Sequence, residues 1–104
     1  MTEQVIEKGH VYILRHSIFQ DIVTFGCSTN NPADIATELS NKTNMPGTFS
    51  VLWSGLCQEP CKVKQRVISI FRRTQYIDEF YKVNATTAIN ITKRESMRIP
   101  VKHF

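Results

Sequence analysis

Two short apolar runs, at residues 11–14 and 22–25, constrain the fold of this chain more than any other feature. The first run, "VYIL", is continuous, which is typical of a strand that is buried on both faces. The segment between the runs is mostly polar, and Gly26 follows the second run where the backbone must turn or approach another group closely. The pair therefore predicts an antiparallel β-hairpin with a loop of several residues.

A helix and then a third strand are predicted after the hairpin. In "NPADIATELSNK", Asn31 can cap a helix and Pro32 suits its first position. The segment "FSVLWSGL" then alternates in the manner of a half-buried strand. Its alternation predicts Phe49, Val51 and Trp53 on one side of the sheet.

The segment "PCKVKQRVISIFRRT" carries the clearest helical pattern in the chain. Its apolar residues recur at helical spacing and predict one core-facing stripe, formed by Val63, Val67, Ile70 and Phe71. Further on, "EFYKV" can form a short fourth strand, and "NATTAINITKRE" predicts a C-terminal helix with a capping asparagine.

The order of these elements predicts one α/β domain of the α+β type, with a small three-stranded antiparallel sheet flanked by helices. A chain of 104 residues suffices for one domain. We expect a single domain over residues 1–104, with its core at about 9–92 and a C-terminal tail at 93–104.

Composition points to an intracellular protein. No apolar stretch approaches the roughly 18 residues needed to span a bilayer, and no secretory h-region is recognisable. We therefore expect a cytoplasmic chain with no membrane partner, in which Cys27, Cys57 and Cys61 are reduced thiols that bind no metal. His10 and His16 flank the first strand without a carboxylate or cysteine nearby in sequence, and both are expected at the surface.

These motifs, in this order, resemble the GIY-YIG endonuclease superfamily, and most of all its short single-domain branch in bacteria and phages. "VYIL" resembles the first motif, with Tyr12 as its tyrosine, and "VTFG" resembles the second, with Gly26 as its glycine. "NNPADIATELS", "FSVLWSGL" and "CKVKQRVISIF" resemble the first helix, the third strand and the next amphipathic helix, while "EFYKV" resembles a common Glu-Trp-Phe ending. The resemblance covers about residues 9 to 92.

The resemblance implies a fold that has lost most of its nuclease chemistry. In the family, two tyrosines surround the attacking water, an arginine contacts phosphate, and a glutamate holds a metal ion. Tyr12 keeps the first of these positions. The second tyrosine falls at Thr24, the arginine at Ile35, and the glutamate at Lys64, whose positive charge repels magnesium. We therefore expect no metal site and no cofactor.

Few carboxylates can replace the missing glutamate. The candidates are Glu38 on the first helix and Asp78 or Glu79 near the fourth strand. Glu79 matches a family position at the edge of the site, so Tyr12 and Glu79 are the residual catalytic candidates. Mg²⁺ or Mn²⁺ would be required only if this chain is an atypical metal-dependent DNA endonuclease.

Basic residues suggest a different activity. The net charge of +4 permits nucleic-acid binding without requiring it. One stretch without acidic residues holds five basic ones: Lys62, Lys64, Arg66, Arg72 and Arg73. Lys62, Arg66 and Arg73 have the spacing of one helix face, which either follows phosphates or is only solvated.

Three functions follow from these observations. The first is a nucleic-acid-binding domain, for DNA rather than RNA, that uses those five residues and is inactive as a nuclease. The second is a protein-interaction role, as an accessory factor of a phage or mobile element, which suits the apolar Ile35 at the arginine position. The third is the atypical endonuclease. The sequence leaves the partner and the oligomeric state open.

Overall fold

The computed structural model describes residues 8–42, 46–77 and 79–98. The elements in chain order are β1 (Lys8–His16), β2 (Ile22–Ser28), α1 (Pro32–Lys42), β3 (Phe49–Gln58), α2 (Pro60–Ile70), a 3₁₀ turn (Arg72–Thr74), β4 (Gln75–Ile77), β5 (Phe80–Lys82) and α3 (Ala85–Arg98). The predicted α+β class is confirmed. Within the described ranges, no helix combines the length and the apolar composition needed to cross a membrane.

The sheet has five antiparallel strands in the order β3-β1-β2-β5-β4, so the predicted count of three is wrong. The predicted β1–β2 hairpin is confirmed, and "EFYKV" does supply a strand, β5. The sequence reading missed β4, because a strand of three residues directly after a helical turn is too short to display alternation. Together, β4 and β5 form a hairpin that extends the sheet beyond β2.

Alternation along β1 divides the core into two layers. Val11 and Ile13 pack with Val63 and Val67 of α2, and α3 contributes to the same cluster. We call this side of the sheet the α2–α3 face. The neighbouring residue Leu14 packs with α1 on the opposite side, which we call the α1 face.

A β-bulge overturns the predicted alternation of β3. Phe49 and Val51 belong to the cluster on the α1 face, as one side of a strand should. Trp53 instead packs against the cluster on the α2–α3 face. The reason is a register shift, since Ile13 pairs with Trp53 whereas Leu14 pairs with Val51. One extra residue in β3 thereby reverses the side on which the following side chains lie.

Helices α1 and α3 start where their capping asparagines predict, but the ends of α2 and α3 differ from expectation. The Oδ1 atom of Asn31 accepts a hydrogen bond from the Ala33 amide at 2.9 Å, and Asn84 caps α3 through the Thr86 amide at 2.9 Å. Helix α2 ends at Ile70, which is 45% exposed and therefore not part of the predicted core stripe. Helix α3 continues to Arg98, so the predicted tail from residue 93 is helical in its first part.

Two predictions from the hairpin and the cysteines are also wrong. His16 is only 2% exposed, because its ring packs against Phe49 with the centroids 5.0 Å apart. Cys27 at the end of β2 forms a disulfide with Cys61 in the first turn of α2, where their Cα atoms lie 5.1 Å apart. Only Cys57 is a free thiol. The spacing of cysteines in sequence could not reveal that α2 begins beside the end of β2.

Candidate nucleic-acid interface and the Tyr12–Glu79 pair

Tyr12 lies in the middle of β1, half-buried against the cluster on the α1 face. In the register of the hairpin it is directly opposite Gly26 of β2. The far end of its ring lies over Gly26 so closely that a Cβ atom at position 26 would overlap the ring carbons and the hydroxyl oxygen. The absence of a side chain at Gly26 therefore lets the Tyr12 ring lie across β2.

Glu79 precedes β5 and brings a negative charge to the same region. Phe80 pairs with Thr24 of β2, so Glu79 is held beside the part of β2 that leads to Gly26. Burial raises the pKa of the Tyr12 hydroxyl, and the Glu79 carboxylate raises it further. The structure thus brings together the two residual catalytic candidates, although they are far apart in sequence.

Glu79 also acts on a second tyrosine. Tyr81 lies in β5 and is buried in the cluster on the α2–α3 face. Burial is the main cause that raises its pKa, Glu79 raises it as well, and the Arg72 guanidinium lowers it. Glu79 and Arg72 therefore have opposite effects on the pKa of the same tyrosine.

The remaining positions of the resemblance do not form a solvent-exposed polar site. Thr24 is 8% exposed, and Ile35 is half-buried on α1. Lys64 extends from α2, which packs on the α2–α3 face, whereas Tyr12 packs on the α1 face. Lys64 and the Tyr12 side chain therefore lie on opposite sides of the sheet.

The carboxylates considered as replacement ligands are dispersed. Glu38 is exposed on α1 and Glu79 is exposed before β5, while Asp78 lies outside the described residues. In the described part of the chain, no three His, Cys, Asp or Glu side chains come together as a metal-binding group. One carboxylate supplies at most two of the six oxygen ligands that Mg²⁺ prefers, so Glu79 would need water or phosphate oxygens to complete a site.

The five predicted phosphate-binding residues occupy more than one surface. Lys62 and Arg66 are one helical turn apart and exposed, on the side of α2 away from its buried residues Val63 and Val67. Lys64 follows Lys62 by two residues, which is about 200° around the helix. It is half-buried, so it does not share the outward surface of Lys62 and Arg66.

Arg72 and Arg73 extend the positive charge beyond the end of α2. Both are exposed in the 3₁₀ turn. Because α2 ends at Ile70, the prediction that Arg73 continues the helix face of Arg66 is wrong. We define the basic surface as Lys62, Arg66, Arg72 and Arg73.

Salt bridges do not neutralise the basic surface within the described residues. The ion pairs found there are formed by other cations: Lys82 lies 3.7 Å from Asp21, and Arg94 lies 3.1 Å from Glu95. A cation without a partner can bind an anionic ligand without first breaking an ion pair. The basic surface is therefore the part of α2 and its continuation that is best suited to phosphate.

An exposed aromatic residue, close in the chain to the basic surface, was not predicted from the sequence. Tyr76 follows Arg72 and Arg73 along the chain and is 65% exposed in β4. The sequence reading missed it because β4 itself was not predicted. A useful signal would have been an aromatic residue three positions after a pair of arginines, in a segment too short to form a core strand.

Comparisons of the chain with family models, with curated protein sequences and with solved structures each find no match. The resemblance to GIY-YIG endonucleases therefore stays a prediction that rests on the motifs and on the order of the elements.

Proposed function

We propose that this chain binds nucleic acid through its phosphates and does not hydrolyse them. The observation that carries the proposal is the basic surface: residues 60–74 contain five basic residues and no acidic one. Four of the five are exposed and form no salt bridge with any described residue. DNA is the ligand class that the resemblance to GIY-YIG endonucleases implies, and phosphate contacts of this type position a protein without reading sequence.

Charge asymmetry between the helices supports the proposal. Helix α1, on the other face of the sheet, carries Asp34, Glu38 and Lys42, so its net charge is −1. The segment from α2 through the 3₁₀ turn carries only positive charge. A polyanion would therefore approach the molecule from the side of α2, because the potential there is positive over several residues.

The same residues argue against hydrolysis. Lys64 replaces the glutamate that the resemblance assigns to the metal, and Ile35 replaces the arginine that would contact phosphate. The Tyr12 hydroxyl is protonated at neutral pH, as any tyrosine with an ordinary pKa of about 10 is, and burial raises its pKa further. A neutral tyrosine can orient a water molecule, but generating hydroxide from that water requires a base or a metal ion.

Fluorescence anisotropy of a labelled DNA duplex across about 50 to 200 mM salt tests the proposal. If the four residues of the basic surface each neutralise one phosphate, the slope of log K against log salt is about −3.6. Adding magnesium or a chelator should leave binding unchanged once ionic strength is matched. No binding of either duplex or single-stranded DNA even at low salt would overturn the proposal and favour the protein-interaction role.

Charge reversal locates the interface. Lys62→Glu and Arg66→Glu should each weaken binding and reduce the magnitude of the salt slope by about 1. Lys42→Glu is the matched control, because Lys42 is also exposed but belongs to α1. Equal effects of Lys42→Glu and Lys62→Glu would show that binding follows net charge and not this surface.

The proximity of Tyr12 and Glu79 favours a second candidate, the metal-dependent endonuclease. In that case the chain would cleave linear, nicked or branched DNA in the presence of Mn²⁺. Both Glu79→Gln and Tyr12→Phe would abolish the cleavage, while Glu38→Gln would not. Cleavage that shows this pattern would replace the proposal of binding without hydrolysis.

A further inference from the structure

Tyr76 is the most exposed aromatic side chain among the described residues, with 65% of its surface accessible. It lies in β4, an edge strand of three residues that, in the described part of the chain, pairs only with β5. The ring contacts found between aromatic side chains in the described ranges do not involve it. Both the folding core and the Tyr12 region therefore leave the Tyr76 ring free to contact a ligand.

Tyr76 lies close in the chain to the arginines of the basic surface, so a ligand bound there can also contact Tyr76. Arg73 precedes Tyr76 by three residues, so their Cα atoms lie at most about 11 Å apart. Successive phosphates of one DNA strand lie about 3.4 Å apart along a duplex axis. A strand whose phosphates contact Arg72 and Arg73 would therefore pass within about three phosphate spacings of the Tyr76 backbone.

We propose that Tyr76 is a stacking platform for an unpaired base, and that the preferred ligand of the basic surface is single-stranded nucleic acid. Proteins that bind single strands combine a positively charged surface with aromatic rings on which bases stack. In a duplex the faces of the bases are already stacked on each other, so an exposed ring gains little from them. This inference rests on the proposed function and adds the form of nucleic acid that is bound.

The isoleucine before the 3₁₀ turn supports the same reading. Ile70, the last residue of α2, is 45% exposed in a helix whose other large apolar residues are at least partly buried. An apolar side chain and an aromatic ring on either side of two arginines provide contacts to a base as well as to its phosphate. Phosphate binding alone would require only the arginines.

A comparison of oligo(dT) with a duplex of equal length tests the proposal. Wild-type protein should bind the labelled single strand more tightly than the duplex at the same salt concentration. Tyr76→Leu should weaken binding of the single strand by about tenfold, because stacking on one base has roughly that value. It should change duplex binding by less than about twofold, and Tyr76→Phe should retain most of the affinity for the single strand.

Phe19→Leu is the matched control, since Phe19 is also exposed, at 40%, but lies in the β1–β2 loop. A direct readout is Tyr76→Trp, whose added fluorescence should be quenched by oligo(dT) if the ring stacks on a base. Equal affinity of wild type and Tyr76→Leu for the single strand would overturn this inference and leave phosphate binding intact. If Lys62→Glu and Arg66→Glu lose binding of both the single strand and the duplex while Tyr76→Leu loses neither, the stacking inference is likewise overturned and phosphate binding stays intact. If wild-type protein binds neither ligand, both proposals are overturned.

Discussion

The ring of Tyr12 lies directly over Gly26, its partner in the neighbouring strand. Gly26 does not adopt a positive φ angle, so its backbone conformation does not require glycine. What requires glycine is the space above it, because a Cβ atom there would overlap the distal ring atoms of Tyr12. This contact determines where the Tyr12 hydroxyl lies relative to Glu79.

Gly26→Ala should destabilise the protein by about 1–3 kcal/mol, since the Tyr12 ring must leave its packed position. In a Tyr12→Ala background the sign should reverse. There the added methyl group meets no ring, and replacing glycine in a strand interior is favourable by about 0.5–1 kcal/mol. Urea unfolding followed through the fluorescence of the single tryptophan measures both effects. Equal effects in the two backgrounds would contradict the contact.

Glu79 should control how stability depends on pH in alkaline solution. Burial and then Glu79 raise the pKa values of Tyr12 and Tyr81 above their usual value of about 10. A group whose folded pKa is raised contributes stability that is complete below the unfolded pKa and is lost as pH rises through the folded pKa. The free energy of unfolding should therefore decrease as pH rises above about 10.

In Glu79→Gln the two tyrosine pKa values should move down, towards that of an unfolded chain. The loss of stability between about pH 9 and pH 12 should become smaller than in wild type. Absorbance titration of tyrosinate and urea unfolding at each pH measure the two quantities. Glu38→Gln removes an equivalent exposed carboxylate from α1 and should change neither.

Local signals in the sequence were sufficient to predict the hairpin, both capping asparagines and the α+β class. Each depends on residues within a few positions of one another, such as Asn31 and the Ala33 amide that it caps. Features that depend on distant segments could not be predicted in this way. The pairing of β4 with β5 and the disulfide between β2 and α2 both require knowledge of where elements meet.

The sequence predicted the basic residues of the candidate interface but not how they are arranged in space. All five basic residues were identified from the sequence. The separation of Lys64 from Lys62 was not, because it depends on which side of α2 is buried. Likewise it named Tyr12 and Glu79 separately, since only the pairing of β5 with β2 brings them together. Tyr76 was missed because its exposure depends on an edge strand of three residues.

His16 should hold the β1–β2 loop through its ring nitrogen. Its Nδ1 atom accepts hydrogen bonds from the Ile18 and Phe19 amides, at 3.1 and 3.3 Å. Replacing it by phenylalanine keeps an aromatic ring beside Phe49 but leaves two amides without their acceptor, which should cost about 1–3 kcal/mol. The substitution also removes Nε2, a buried atom that has no hydrogen-bond partner among the described residues, and this offsets part of the loss.

Hydrogen exchange separates the role of the His16 acceptor from that of its ring. The Ile18 and Phe19 amides should exchange faster in His16→Phe than in wild type. His16→Asn supplies a side-chain oxygen that can accept from nearby amides, so it should retain more protection at these two positions despite losing the ring. Unchanged exchange of both amides in His16→Phe would show that the nitrogen does not hold the loop.

The Cys27–Cys61 disulfide should contribute substantially to stability, because it joins residues 34 positions apart. Closing a loop of this length restricts the unfolded chain and stabilises the folded state by about 3–4 kcal/mol in the chain-entropy model. Both Cys61→Ser and reduction of wild type should lower the free energy of unfolding by this amount. Reduction should have no additional effect on Cys61→Ser, because the variant contains no disulfide to break.

Thiol counting in denaturant without reductant tests the disulfide independently. Denaturant is required because the native Cys57 thiol is partly buried and burial raises its pKa, which slows its reaction. Wild type should present one reactive thiol before reduction and three afterwards, since the chain contains three cysteines. Cys57→Ser should present none before reduction and keep the stability of wild type apart from the small change in packing. Three reactive thiols in unreduced wild type would instead support the reduced cysteines that the composition predicted, and would leave the first turn of α2, which carries Lys62, attached to the sheet by packing alone.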